Sequence, residues 1–197
     1  MARVKRTIET PPNGGYGYMV VAGATIINMF NQALLSVFGL IFGPFFDILN
    51  ESETRIALVM NLSSAFLNLT GIFTAPLLKN FSPRQVAVSG CFLVSLGLTL
   101  SSLATSLEQI ILTYSLMVGI GLGLLGPAIF IAVSSYFTTK KSRAIGVSMA
   151  GTGLGQMLMP QIVKFLLIEY GFRGTLLVMG GLSLHGVIGA CLFQPVE

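Results

Sequence analysis

The sequence predicts an all-α polytopic membrane protein with six transmembrane helices. The chain is 53% hydrophobic and only 9% charged, and its mean hydropathy is +0.84. A soluble domain carries about 25% charged residues. Apolar runs recur six times, each about as long as or longer than the ~20 residues that cross ~30 Å of hydrocarbon. The basic residues fall in the short breaks between those runs, where they set topology. The net charge of +4 therefore gives no soluble basic face, and no nucleic-acid partner is expected.

The elements follow in order. Residues 1–14 are polar, hold Pro11 and Pro12, and read as a cytoplasmic N-terminal tail. Residues 15–197 read as one six-helix transmembrane domain. Its spans are expected at 16–45, 56–78, 85–104, 109–137, 144–167 and 175–193. The first run is too long for a signal peptide and five more follow it. The first and fourth exceed a single crossing, and tilt or kinking absorbs the excess. Gly39, Gly43 and Pro44 are candidate breaks in the first, and Gly126–Pro127 in the fourth. With short loops throughout, consecutive helices are expected to be antiparallel neighbours. There is no Trp, so Tyr and Phe must supply any interfacial belt.

The loops orient the bundle. Arg3, Lys5, Arg6, Lys79, Arg84, Lys140, Lys141 and Arg143 lie on one side. Arg55, Lys164 and Arg173 lie on the other. The bias places the N-terminus, second loop, fourth loop and C-terminus in the cytoplasm. The plasma membrane is the expected location. Arg84 and the basic loop also stand where cytoplasmic gating contacts would form.

Polar side chains inside spans mark helix contacts or a watery path, because lipid offers them nothing. Asn28, Asn31, Gln32 and Ser36 share a face of the first span through spacings of three and four. Asn61, Ser64 and Asn68 share one on the second. Ser148, Thr152 and Gln156 share one on the fifth, with Pro160 a turn beyond. The third and sixth spans show no such stripe. Interhelical hydrogen bonding accounts for any one of these residues; the three stripes together predict a shared polar cavity. His185, alone in the sixth span, reads as a packing or hydrogen-bonding residue, and Lys164 as a snorkelling one. Cys91 and Cys191 read as buried free thiols. Gly151 and Gly155, and Gly119 and Gly123, form GxxxG pairs that suit close helix approach.

No nucleophile–base pair, phosphate loop or metal-ligand cluster stands out, so neither an enzyme nor a metal or other cofactor is expected. The Gly151–Gly155 run does not read as a nucleotide fingerprint, since no strand precedes it. Asn50-Glu51-Ser52 is a glycosylation sequon close to the membrane.

Two stretches carry a specific likeness. Asn13-Gly14-Gly15-Tyr16-Gly17-Tyr18 enters the first helix. Tyr136-Phe137, a basic loop, Ala144, Gly146, Ala150, Gly151 and Gly155 join the fourth to the fifth. Together they resemble the two signatures of the monocarboxylate transporter family, solute carriers of the major facilitator superfamily. Asn13 replaces the usual acid, and tyrosines replace the usual tryptophans. Arg84 and Tyr170-Gly171-Phe172-Arg173-Gly174 also sit at family positions. The likeness runs from Pro12 to Pro195.

The resemblance implies a twelve-helix carrier, of which this chain is the N-terminal six-helix half. The C-terminal half would follow the Pro195-Val196-Glu197 end. It implies that the first, second, fourth and fifth helices line the path. The expected function is secondary-active transport of small organic acids, monocarboxylate-like, by alternating access. The family's lactate carriers run proton symport with a lysine where Ser36 stands here. No basic residue lies in this first helix. That departure speaks against lactate–proton coupling and suits an uncharged, zwitterionic or aromatic solute as well. The alternative is a truncated, non-transporting product that binds and regulates a full-length carrier. The partners implied are the lipid bilayer, a small organic solute, and a C-terminal half, a full-length carrier or a single-span chaperone glycoprotein.

Overall fold

The structure, a computed structural model, describes residues 15–194. Gly14 of the first signature, the tail and Pro195 lie outside the described residues. Within them every regular element is helical.

Five continuous helical runs are long and apolar enough to cross a membrane. The first span is Gly17–Ile48, the second Glu53–Leu77, the third Pro83–Ser101 and the fourth Leu107–Tyr136. The last run, Lys141–Cys191, has 51 residues. At ~1.5 Å per residue it would measure ~76 Å, more than twice the hydrocarbon thickness. Gly171 breaks it, with φ 64° and ψ −172°, a backbone region that only glycine adopts without strain. The contacts show that the chain reverses there. Gly151 and Gly155 rest on the carbonyls of Thr25 and Met29, in the same sense. Beyond the break, Ser183 meets Asn31 and Gly189 meets Gly23, in the opposite sense. The fifth span is therefore 141–170 and the sixth 172–191, giving six crossings.

Local chemistry sets the boundaries. The Ser82 hydroxyl accepts from the Gln85 N–H at 3.3 Å and the Gln85 side-chain Oε1 accepts from the Ser82 N–H at 3.1 Å. This capping box, with Pro83 in the first turn, starts the third span two residues before the expected position. Ser106 caps the fourth with its hydroxyl alone, accepting from the Gln109 N–H at 3.4 Å.

The distortions differ from those expected. Pro44 and Pro127 lie inside continuous helix. The first span instead tightens to a 3-10 helix at Gln32–Val37, and the fourth widens to a π-helix at Ile111–Val118. In the first, the Ser36 hydroxyl donates to the Ala33 carbonyl at 2.6 Å, a local bond that competes with the helical ladder.

Packing also departs from simple succession. The first span packs on the fifth, sixth and fourth; the second on the fourth; the third on the fourth and sixth. First and second, or second and third, share no substantial contact. Short loops hold helix ends together, while the glycine seams decide which flanks touch. Gly119 and Gly123 seat on the Ser63 and Leu67 carbonyls of the second span. Hydroxyls reinforce this. Ser115 donates to the Val59 carbonyl at 2.7 Å, and Ser95 in the third span donates to the Gly180 carbonyl of the sixth at 2.9 Å. One end of the bundle is closed by Phe38, Phe42 and Phe46 around Tyr114, with ring centroids 4.9 Å apart for Phe42 and Tyr114. Phe172, just past the break, stacks on Phe45 at 4.5 Å.

One single residue, Cys191, departs from expectation. Cys91 is buried but Cys191 is exposed, because Gly189 and Ala190 take the inward positions beside it. His185 is exposed, yet it both packs and hydrogen-bonds. Its ring lies 5.4 Å from Phe30, and Nδ1 lies 3.1 Å from the Leu182 carbonyl.

Candidate functional site

A hollow of about 350 Å³ lies between the first, fourth and fifth spans. Asn28 and Gln32 reach it from the first, Ser148 and Thr152 from the fifth. The fourth span supplies an apolar wall that includes Gly126, Ile129, Phe130 and Val133. That wall has no amide stripe, so the family resemblance alone pointed to the fourth span.

The polar groups are only partly engaged. Asn28 donates through Nδ2 to the Ser148 carbonyl at 2.8 Å, tying the first span to the fifth. The Ser148 hydroxyl donates to the Ile145 carbonyl at 2.8 Å. Gln32 and Thr152 make no side-chain hydrogen bond among the described residues, so both can serve a solute. Lys141 lies two turns before Ser148 on the same helix face. Its Nζ sits 5.0 Å from the centre of the Phe130 ring, which itself lines the hollow. A cation on an aromatic face is held weakly and can exchange that contact for a carboxylate.

The other polar positions sit elsewhere. Asn31 is fully buried and turns to the sixth span, where Nδ2 donates to the Ser183 carbonyl at 3.4 Å. Its Oδ1 has no partner. Ser36 is exposed beyond the hollow. Asn61, Ser64 and Asn68 lie on an exposed face of the second span, with Asn68 donating to the Ser64 carbonyl at 2.8 Å. Gln156 is exposed one turn past Thr152. Thus the structure gathers Asn28, Gln32, Ser148 and Thr152, leaves Ser36, Asn61, Ser64, Asn68 and Gln156 on open surface, and uses Asn31 as a helix staple.

The described residues of the two signature stretches meet at one end of the bundle. Tyr16 lies 6.2 Å from Tyr136, and Tyr18 lies edge-on to Phe137 at 5.8 Å. Gly17 leaves room for the Phe137 ring, which a Cβ would approach to 3.0 Å. The Tyr136 hydroxyl donates to the Gln194 carbonyl at 3.1 Å, so this knot joins the starts and ends of three spans. Gly15, at φ +60°, makes the turn into it. Ala144 is buried just beyond the basic loop, whereas Gly146 and Ala150 are exposed. Arg84, Lys140 and Arg143 are exposed at this same end. Among the described residues no His, Cys, Asp and Glu group could hold a metal ion.

A family model of the Major Facilitator Superfamily matches residues 21–197. The chain is 29% identical to monocarboxylate transporter 12 of Homo sapiens over 100% of its own length and 38% of the relative. It is 32% identical to monocarboxylate transporter 13 of Bos taurus over 95% of its length and 44% of the relative. Against monocarboxylate transporter 2 of Mus musculus it is 30% identical, over 94% and 38%. It thus spans about two fifths of the length of these curated relatives. A six-crossing helical bundle, signature aromatics joined in one knot and a family match over nearly the whole chain agree: this integral membrane protein belongs to the Major Facilitator Superfamily, and the transporters it is similar to are monocarboxylate transporters.

Proposed function

We propose that this chain forms the N-terminal half of a secondary carrier for small organic acids or related solutes. The observation that carries the reading is the hollow itself. It pairs unengaged polar groups, Gln32 and Thr152, with an aromatic wall and one cation, Lys141, near its rim. A carboxylate-bearing solute of a few carbons fits a space of about 350 Å³, with the ammonium drawing the anion in and the amide orienting it. A second half would complete the site, and alternating access would follow from rocking of the two halves about it. The exposed polar face of Asn61, Ser64, Asn68 and Gln156 gives such a half polar groups to meet. Lys140, Arg143 and Arg84 would act at the cytoplasmic ends, with both termini in the cytoplasm of the plasma membrane. Proton coupling through a first-helix lysine is not part of this reading, since Ser36 stands at that position.

The experiment joins this chain to a matching C-terminal half in proteoliposomes. Uptake of labelled monocarboxylates and aromatic amino acids is measured for Gln32→Leu, Thr152→Val and Asn31→Leu. The first two raise KM about tenfold or more for the transported solute, the loss expected when a polar partner is removed. Asn31→Leu lowers the amount of folded carrier and leaves KM unchanged. Unchanged KM in both hollow variants for every transported solute refutes the site.

A further inference from the structure

A second cleft, of about 220 Å³, lies between the first span and the start of the fifth. Tyr18, Val21, Phe137, Lys140, Arg143, Ala144 and Val147 line it, and it shares no residue with the hollow. We propose that this cleft binds the headgroup of an anionic phospholipid from the surrounding leaflet, with an acyl chain lying along the outer face of the fifth span.

Two features place an amphiphile here. The water-facing rim carries Lys140 and Arg143, both exposed, and neither forms an ion pair among the described residues. Tyr18, 58% exposed, packs its ring edge on Phe137 and brings a phenol to the same rim. Above the rim the wall turns apolar, with Gln161 the one polar residue along it. Val147, Leu154, Leu158 and Phe165 repeat at helical spacing above Arg143, and they are 57%, 52%, 43% and 61% exposed. At about 100° per residue this track is centred about 100° around the helix from Ser148 and about 140° from Thr152, so it lies off the face that lines the hollow. Basic residues clustered beside membrane-embedded helices attract anionic lipids. A soluble anion would satisfy the cations but leave the apolar track unaddressed, whereas a zwitterionic lipid would satisfy the track but give the two cations no net counter-charge. An anionic phospholipid matches both.

The test uses the chain in detergent, titrated with phosphatidylserine or phosphatidylcholine and read by native mass spectrometry. Phosphatidylserine is expected to bind at one preferred site. Lys140→Gln with Arg143→Gln should weaken it by about thirtyfold, the factor that two surface cations supply. Lys79→Gln with Arg84→Gln removes the same charge elsewhere at this end and should leave the site intact. Val147→Asn, which changes no charge, should weaken binding severalfold. Circular dichroism confirms that each variant is folded. Equal losses in the two charge-neutralised pairs would reduce the effect to general surface attraction and overturn the proposal. So would phosphatidylcholine binding as tightly as phosphatidylserine. Full displacement of the lipid by an equal concentration of glycerophosphoserine would make the cleft a soluble-phosphate site and equally overturn it.

Discussion

Replacing Gly155 by Ala adds one methyl group at the seam between the first and fifth spans. The added Cβ would fall on the Met29 carbonyl oxygen and 2.8 Å from the Ala33 Cβ. Both obstacles are rigid, one backbone and one a side chain with no rotamer to change. Ordinary carbon contacts need about 3.5–4.0 Å, so the two helices must part by about 1 Å. Overpacking of this kind costs about 1–3 kcal/mol. The same substitution gains about 1 kcal/mol of helix propensity, which obscures the cost if Gly155→Ala is measured alone. Gly153 supplies the reference. It lies two residues earlier on the same helix, and its added Cβ meets nothing within 4 Å. Propensity cancels between the two variants, and Gly155→Ala should be about 1–3 kcal/mol less stable than Gly153→Ala. Equilibrium unfolding in mixed micelles, titrated with a denaturing detergent and followed by helical circular dichroism, measures the difference. Two variants equal within about 0.5 kcal/mol, the usual scatter for a substitution that touches nothing, would refute the seam.

Two further outcomes follow from single residues. Gly171→Ala forces a side chain into φ 64°, ψ −172°, at a cost of about 1–3 kcal/mol; the same unfolding assay should show it, and a neutral result would mean that the chain reverses by another geometry. A maleimide added to the micellar protein should modify the exposed Cys191 and spare the buried Cys91. Labelling that survives Cys191→Ser but not Cys91→Ser would contradict the packing of the third span against the sixth.

Some of this architecture is written in single segments of sequence and some is not. Six apolar runs, the basic loops and the spacing of Gly151 with Gly155 are each visible within one stretch, and the structure gives all of them a place. The seams of Gly23 against Gly189, and Gly90 against Gly121, were not legible. Each needs two lone glycines from different spans, and nothing local pairs them. The polar stripe of the first span was read as one face, yet it divides. Asn28 and Gln32 point within about 40° of each other, while Asn31 lies about 60° to the far side of Asn28. A stripe that wide serves two neighbours, so the structure gives Asn28 and Gln32 to the hollow and Asn31 to the sixth span. The family resemblance put the fourth span on the path, but its wall residues went unmarked for the opposite reason: Phe130 and Val133 look the same in sequence whether they face lipid, a neighbour or a cavity.

The pattern of neighbours bears on how the chain is made. Asn31 donates its hydrogen bond to a residue 152 positions later, and the first two spans share no substantial contact with each other. A ribosome adding about 5–20 residues per second needs about 8–30 s to cover that distance. During that interval the first helix, with a buried-type asparagine at its centre, waits without its final partners. The second waits for the fourth. Assembly of the bundle is therefore a late event, set by the arrival of the sixth helix rather than by pairing of successive hairpins, and the insertion machinery or a lipid-facing polar helix must tolerate the delay.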